Sequence, residues 1–396
     1  MSSLVDFPVS LPTEKIPPEI DALAEATAFA PNFTSLGSKH FDKDGIWRDC
    51  YALTGTLRTF YSASSIAAAW NETSKLVQPF SFSVNPKSCR VINAGHASWL
   101  QAIFQFETSG NPQTNCSAIV ALIPNSTGGW RIWSLRTIID QLKGQGNVDV
   151  LGPVNVITGV INRAVNGITS GVPKLMNGLA GPMHFECVVG GGGQAGLSMG
   201  GRLQALGVNY VVLDKHNEVG DSWKLRYTSA RLHTTREYAH LPFDRTFPPH
   251  YQEWLTKDDL AQAYRDWVSK FDINVWQRSK VTSGEWDSTR KLWTLTVLQD
   301  SQERLITCSH VVLAGGGGGQ IPMMPDYPDR DSFGGIILHS GTYIDANEWK
   351  GKHGVVIGTA NTGHDVAEDM VAAELAEVTM VQRSKTCTFR NPNNCG

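Results

Sequence analysis

Two glycine-rich clusters hold the residues whose types and spacing could do chemistry. In the first, Gly191, Gly193 and Gly196 follow the apolar run Phe185–Gly190 and precede the helix-like stretch Leu197–Leu206. A second apolar run, Tyr210–Leu213, then ends at Asp214. The spacing predicts strand, tight turn, helix and strand. Gly191 permits the turn, Gly193 lets a pyrophosphate approach the backbone, and Gly196 lets helix and strand pack closely. Free N–H groups at the helix start attract the phosphates. A carboxylate about 20 residues further on accepts from ribose hydroxyls. A bare GxGxxG also occurs in ordinary loops, but here all four parts agree. Gly200 and Gly201 are a local conflict, because glycine inside a helix costs about 1 kcal/mol against alanine.

The second cluster starts from the short apolar run Gly354–Ile357 and contains Gly358, Ala360, Asn361, Thr362 and Gly363. A helix from His364 to about Ala376 is predicted next, then a strand over Val378–Val381 ending in Gln382, Arg383 and Ser384. A cation and a hydroxyl thus stand where the first unit has Asp214. That exchange suits a 2′-phosphate, and hence NADPH over NADH. Arg383 can equally be read as a solvated charge at a strand end. Ala360 replaces the middle glycine, and its methyl should crowd the pyrophosphate.

Between the clusters stand Phe333, Gly335, His339 and Tyr343, in the order FxGxxxHxxxY. This resembles the signature of flavin-containing monooxygenases; the related Baeyer–Villiger group has Trp where Tyr343 stands. Gly220–Trp223, Arg226-Tyr227, Arg231–Thr234, Leu241-Pro242 and Phe247–Pro249 are similar to further segments of that family. So is the strand Val311–Ala314, although Gly315 follows it where the family has Thr. The likeness covers about residues 183 to 386 and includes plant-type indole-pyruvate monooxygenases and fungal relatives. It implies a class B flavoprotein monooxygenase. FAD would lie against Gly191, Gly193, Gln194, Ala195, Gly196, Asp214, Lys215, Trp223, His233 and Val281. NADPH would lie against Gly358, Ala360, Asn361, Thr362, Gly363, Arg383 and Ser384. In such enzymes NADPH reduces FAD, and O₂ is then activated as a flavin C4a-hydroperoxide that oxygenates a small substrate. The cofactor carries that chemistry, so no catalytic triad or metal cluster is required and no catalytic side chain is assigned. His339 taken alone reads as a structural histidine.

The elements that must position these groups form an α/β fold with two Rossmann-like dinucleotide-binding units, the second incomplete, preceded by an α+β domain. The expected boundaries are 1–150 for the α+β domain, 151–182 for a linker, 183–334 for FAD and 335–396 for part of the NADPH domain. In the first region an amphipathic helix is predicted over Trp47–Phe60 and an Ala-rich helix over Ser62–Lys75. Strands are predicted over Phe80–Val84, Cys89–Asn93, Trp99–Glu107, Ser117–Ile123 and Trp130–Ile139. Leu100, Ala102, Phe104 and Phe106 alternate with polar residues, the mark of one buried face. This element order resembles the NTF2-like cone fold that precedes the flavin domains of some monooxygenases. Such a domain can serve packing alone.

Composition narrows the alternatives. The chain has 396 residues, 41% of them apolar, and a formal net charge of −3. No basic stripe suggests nucleic acid, and no apolar run approaches the roughly 18 residues of a membrane helix. Seven scattered cysteines form neither a disulfide framework nor a metal set. Sequons at Asn32, Asn71, Asn115 and Asn125 are unaccompanied by an export signal. The reading is a cytoplasmic protein whose partners are a small-molecule substrate and O₂, with a homodimer left open. The family likeness fades near Ser384, and Arg390–Gly396 is polar. Relatives continue further, so the chain reads as C-terminally truncated. Three outcomes stay open: an active monooxygenase, an uncoupled NADPH oxidase, or a non-catalytic remnant that binds nucleotide or a partner.

Overall fold

The structure is a computed structural model that describes residues 11–13, 15–17, 19–125, 128–154, 182–317 and 321–383. Contacts divide the chain into two compact units, Met1–Gly146 and Asn147–Gly396. Most of the expected linker, residues 155–181, lies outside the described residues.

In the first unit, helix α1 (Ala22–Phe29) starts at Asp21, whose carboxylate accepts from the Leu23 and Ala24 amides. Strands β1 (Phe41–Cys50) and β2 (Leu57–Tyr61) follow, then helix α2 (Ala63–Val77). Next come β3 (Pro79–Val84), β4 (Arg90–Ala94), β5 (Ala97–Thr108), β6 (Thr114–Pro124) and β7 (Trp130–Leu142). They form one seven-stranded sheet in the order β2-β1-β7-β6-β5-β3, with β4 also paired to β5. The pairings are antiparallel except β1 with β7, which is parallel. Leu100, Ala102, Phe104 and Phe106 all point into the core, as their alternation requires. The space between sheet and helices is filled by stacked aromatics: Phe33 on Phe82 at 4.7 Å, Phe82 on Phe106 at 4.8 Å and Trp47 on Phe60 at 4.9 Å.

The helix expected over Trp47–Phe60 does not form. Those residues make the end of β1, a turn and the start of β2. The reason is a competing polar anchor. The Asp49 carboxylate, fully buried, accepts from the Leu53 and Thr54 amides and from the Thr54 and Thr137 hydroxyls. Side-chain capture of backbone N–H groups favours turns over helix. Gly55, at φ +65°, and Tyr51, at φ +67°, complete the reversal. Trp47 and Asp49 both face inward because residues two apart on a strand share one face.

The second unit contains two α/β pieces. Strands β8 (Met183–Gly190) and β9 (Tyr210–Leu213) flank helix α3 (Gln194–Ala205). Helix α4 (Lys257–Phe271) leads to β10 (Val275–Trp276), and a meander of β11 (Ser279–Asp287), β12 (Leu292–Gln299) and β13 (Gln302–Leu313) completes the sheet. The order is β10-β9-β8-β13-β12-β11, with β10, β9, β8 and β13 mutually parallel. Strands β8 and β9 are covered on both faces. Val189 and Val212 pack toward α3 and α4, while Val188 and Val211 pack toward Leu295 and Val297 of the meander. This is why both strands read as continuous apolar runs. The second piece pairs β14 (His353–Ile357) in parallel with β15 (Glu377–Val381) around helix α5 (Asn361–Ala372). Val356, Val366, Ala367 and Met370 form its core with Tyr227, Ala230 and Tyr343, while Val355, Ile357 and Val381 on the other strand face are exposed.

Candidate dinucleotide-binding site

At the end of β8 the chain turns through Gly191, whose φ is +120°. A β-carbon there would lie 2.4 Å from the Ala314 carbonyl oxygen, and one at Gly196 would lie 1.7 Å from the Gly191 oxygen. Neither position admits another residue without moving backbone. Gly193 is different. It is the N-cap of α3, in extended conformation (φ −79°, ψ −171°), and a β-carbon on it would meet nothing within 4 Å. The backbone therefore permits a side chain that the fold has left out, so the space beside Gly193 is kept clear next to the unpaired N–H groups of a helix start. That is the shape a pyrophosphate needs. Gln194 and Ala195 open the helix, and the Gln194 amide reaches the Ala239 carbonyl at 3.3 Å.

The glycines inside α3 resolve as packing positions. A β-carbon at Gly200 would come within 2.7 Å of Val212, and one at Gly201 within 2.7 Å of Trp267. The helix lies so close to β9 and α4 that only hydrogen fits, and burial offsets the propensity cost.

Asp214 follows β9 and is buried. Its Oδ1 accepts from the His216 amide at 2.9 Å and faces the His216 Nδ1 at 2.7 Å. Its Oδ2 lies toward Gly192, where a β-carbon would approach to 2.3 Å. Lys215 is exposed. Trp223 stacks under the Arg226 guanidinium at 4.1 Å. Val281 is partly buried and packs against the core formed by β8, β9 and the meander.

The second turn repeats the first. Gly358 has φ +111°, a β-carbon at Gly363 would lie 2.5 Å from the Gly358 oxygen, and Ala360 is the N-cap of α5 with φ −79° and ψ 173°. Ala360 thus has the backbone geometry of Gly193, and its methyl occupies the position that Gly193 leaves clear. Asn361 and Thr362 form the first turn of α5. Arg383 is exposed just beyond β15. Ser384 lies outside the described residues.

His233 is tied to the second α/β piece. Its Nε2 lies 2.9 and 3.0 Å from the two oxygens of Asp365, which also accepts from the Tyr227 hydroxyl at 2.6 Å. Burial, then the Asp365 carboxylate, pushes the Tyr227 phenol well above its ordinary range, so it stays a donor. Asp365 sits two residues past Gly363 on α5, so this cluster ties the loop after β9 to the second turn. Sequence reasoning did not single out Asp365 or His216. Asp365 is 132 residues from His233, and no spacing signal joins them.

Of the four signature residues, Tyr343 alone is buried, its hydroxyl donating to Asp369 at 3.2 Å. Phe333 and Gly335 are exposed, and Nδ1 of His339 accepts from the Gly341 amide at 2.9 Å, closing a local turn. Tyr343 thus packs with Tyr227 in the core of the second α/β piece. The described cysteines are free thiols, and burial pushes Cys116 and Cys308 up to about 11. Buried thiols of that kind are poor nucleophiles.

Two glycine turns, each ending a parallel strand and opening a helix, define two Rossmann-like α/β pieces. The chain belongs to the pyridine nucleotide-disulphide oxidoreductase family, whose pattern matches residues 188–394. Proteins that it resembles include flavin monooxygenases. The chain is 30% identical over 189 residues to a probable indole-3-pyruvate monooxygenase, YUCCA3, of Arabidopsis thaliana, covering 46% of this chain and 43% of that protein. A flavin-containing monooxygenase from Stenotrophomonas maltophilia aligns at 23% identity and TM-score 0.47, over 51% of this chain and 59% of that one. A cyclohexanone monooxygenase from Rhodococcus sp. Phi1 bound to NADP+ aligns at 26% identity and TM-score 0.44, over 52% and 39%. The chain spans less than half the length of the curated plant relative. Among the described residues, no helix is long and apolar enough to cross a membrane.

Proposed function

We propose that this chain is the nucleotide-binding part of a FAD-dependent, NADPH-using monooxygenase that places one oxygen atom of O₂ on a small organic substrate. The observation that carries the reading is the repeated turn. Gly191 and Gly358 share a left-handed φ, and Gly193 and Ala360 share one extended geometry at the mouth of a helix. FAD would be held at Gly191, Gly193, Gln194, Ala195, Gly196 and Asp214, with Lys215, Trp223, His233 and Val281 around it. NADPH would be held at Gly358, Ala360, Asn361, Thr362 and Gly363, with Arg383 and Ser384 toward the 2′-phosphate. The flavin, when bound, supplies hydride acceptance and oxygen activation. The protein's share is to seat the two pyrophosphates on two helix starts and to keep the helices in register through Tyr227, His233 and Asp365. We assign residues 183–334 to FAD and 335–396 to part of the NADPH domain, with an NTF2-like packing domain before them. Residence in the cytoplasm and self-association as a homodimer belong to the same proposal.

The test is to purify the chain, measure bound flavin by its absorbance, and follow NADPH oxidation and product under air. Flavin in stoichiometric amount with oxygenated product supports the proposal; a chain that binds neither FAD nor NADPH overturns it. A second reading, nucleotide binding without oxygen transfer, is favoured by the exposed signature residues and the uncovered face of β14 and β15. NADPH consumption that yields only hydrogen peroxide would point to an uncoupled oxidase instead.

A further inference from the structure

We infer that His216 is a positioning residue of the first nucleotide site. It holds the Asp214 carboxylate so that one oxygen is spent on the protein and the other is reserved for ribose. The inference rests on the dinucleotide reading of the first turn and adds a residue that its motif does not contain.

The argument starts from the carboxylate. An aspartate that recognises ribose must present an acceptor oxygen in a fixed direction, and a carboxylate free to rotate about χ2 spends part of its binding strength on being ordered. Here rotation is blocked from one side. The His216 amide and the His216 ring both meet Oδ1, at 2.9 and 2.7 Å. The ring nitrogen acts as donor, because an ionised carboxylate only accepts. Oδ2 is left toward Gly192, inside the glycine turn. The loop that carries His216 is itself held. The Arg278 amide donates to the His216 carbonyl at 2.8 Å, and the Ser279 amide donates to the Asp214 carbonyl at 2.7 Å. Thus the strand end, the loop and the start of β11 fix the imidazole, and the imidazole fixes the acid. Removing the ring leaves the amide bond in place, so the carboxylate would stay near its site but would be held by one donor instead of two.

The test uses ADP and 2′,3′-dideoxy-ADP, titrated by calorimetry into the whole chain and its variants. Both carry the diphosphate, and only ADP carries the hydroxyls. The wild-type chain should prefer ADP. His216→Ala should weaken ADP by about three- to tenfold, the range of one hydrogen bond, and leave the dideoxy compound unchanged. His216→Asn, whose side-chain amide nitrogen stands where Nδ1 stood, should restore the preference. Asp214→Ala should abolish it. A general loss of fold would weaken both ligands together and would not be rescued by Asn. An unchanged preference in His216→Ala overturns the role of His216 while leaving the nucleotide site intact. So does an equal loss for both ligands, or a failure of Asn to rescue. Failure of the wild-type chain to bind either compound overturns the nucleotide reading, and the inference with it.

Discussion

Gly193→Val separates what the fold needs from what a nucleotide needs. The backbone at Gly193 is extended, with φ −79°, and a β-carbon there has no neighbour within 4 Å. A branched side chain should therefore be accepted with little effect on stability, within about 0.5 kcal/mol, as at other open positions. The same side chain fills the space in front of the α3 N-terminus. A pyrophosphate forced back from it would lose two or so charge-assisted hydrogen bonds to N–H groups, each worth about 1.5–3 kcal/mol. The sum, roughly 3–6 kcal/mol, corresponds to a loss of FAD affinity of about a hundredfold or more. Gly196→Ala is the control. Its β-carbon would lie 1.7 Å from the Gly191 oxygen, so this change should lower stability by about 1–3 kcal/mol or more through forced backbone movement. Urea unfolding measures the first quantity and quenching of FAD fluorescence measures the second. A Gly193→Val chain that keeps wild-type affinity for FAD refutes the placement of the pyrophosphate. One that unfolds as readily as Gly196→Ala refutes the claim that the space is open.

Arg383→Ala should weaken NADPH by about 1.5–3 kcal/mol and NADH far less; equal losses in parallel titrations would remove the 2′-phosphate contact. Cys116 and Cys308 titrate at about 11 in the folded chain, against an ordinary 9.0. The stability they contribute is complete below pH 9 and is lost as pH rises through 11, because the unfolded chain releases these protons first. Urea midpoints recorded from pH 8 to 11 should fall across that window, and a flat profile would contradict it. Val355 and Ile357 expose apolar side chains on an uncovered sheet face. The double change Val355→Thr and Ile357→Thr should reduce light scattering of concentrated protein without lowering the unfolding midpoint. Scattering that does not change would place the sticky surface elsewhere.

Both glycine turns were legible in the sequence, because they depend on local chemistry. An apolar run, a glycine that must take positive φ, and a helix start announce themselves within about a dozen residues. Strands β3 to β7 of the first unit were legible for the same reason: Leu100, Ala102, Phe104 and Phe106 alternate because a sheet has two faces. The segment Trp47–Phe60 was not, since Trp47, Tyr51, Leu53, Leu57 and Phe60 suit a helical face as well as a strand–turn–strand. The choice fell to Asp49, whose partner Thr137 lies 88 residues away. Gly200 and Gly201 looked like defects until Val212 and Trp267 were seen against them. The meeting of Tyr227, His233 and Asp365 belongs to tertiary structure in the same way. Sequence spacing carries the short-range rules of turns and helices, whereas hydrogen bonds between segments more than a hundred residues apart are set by which surfaces the packed core brings together.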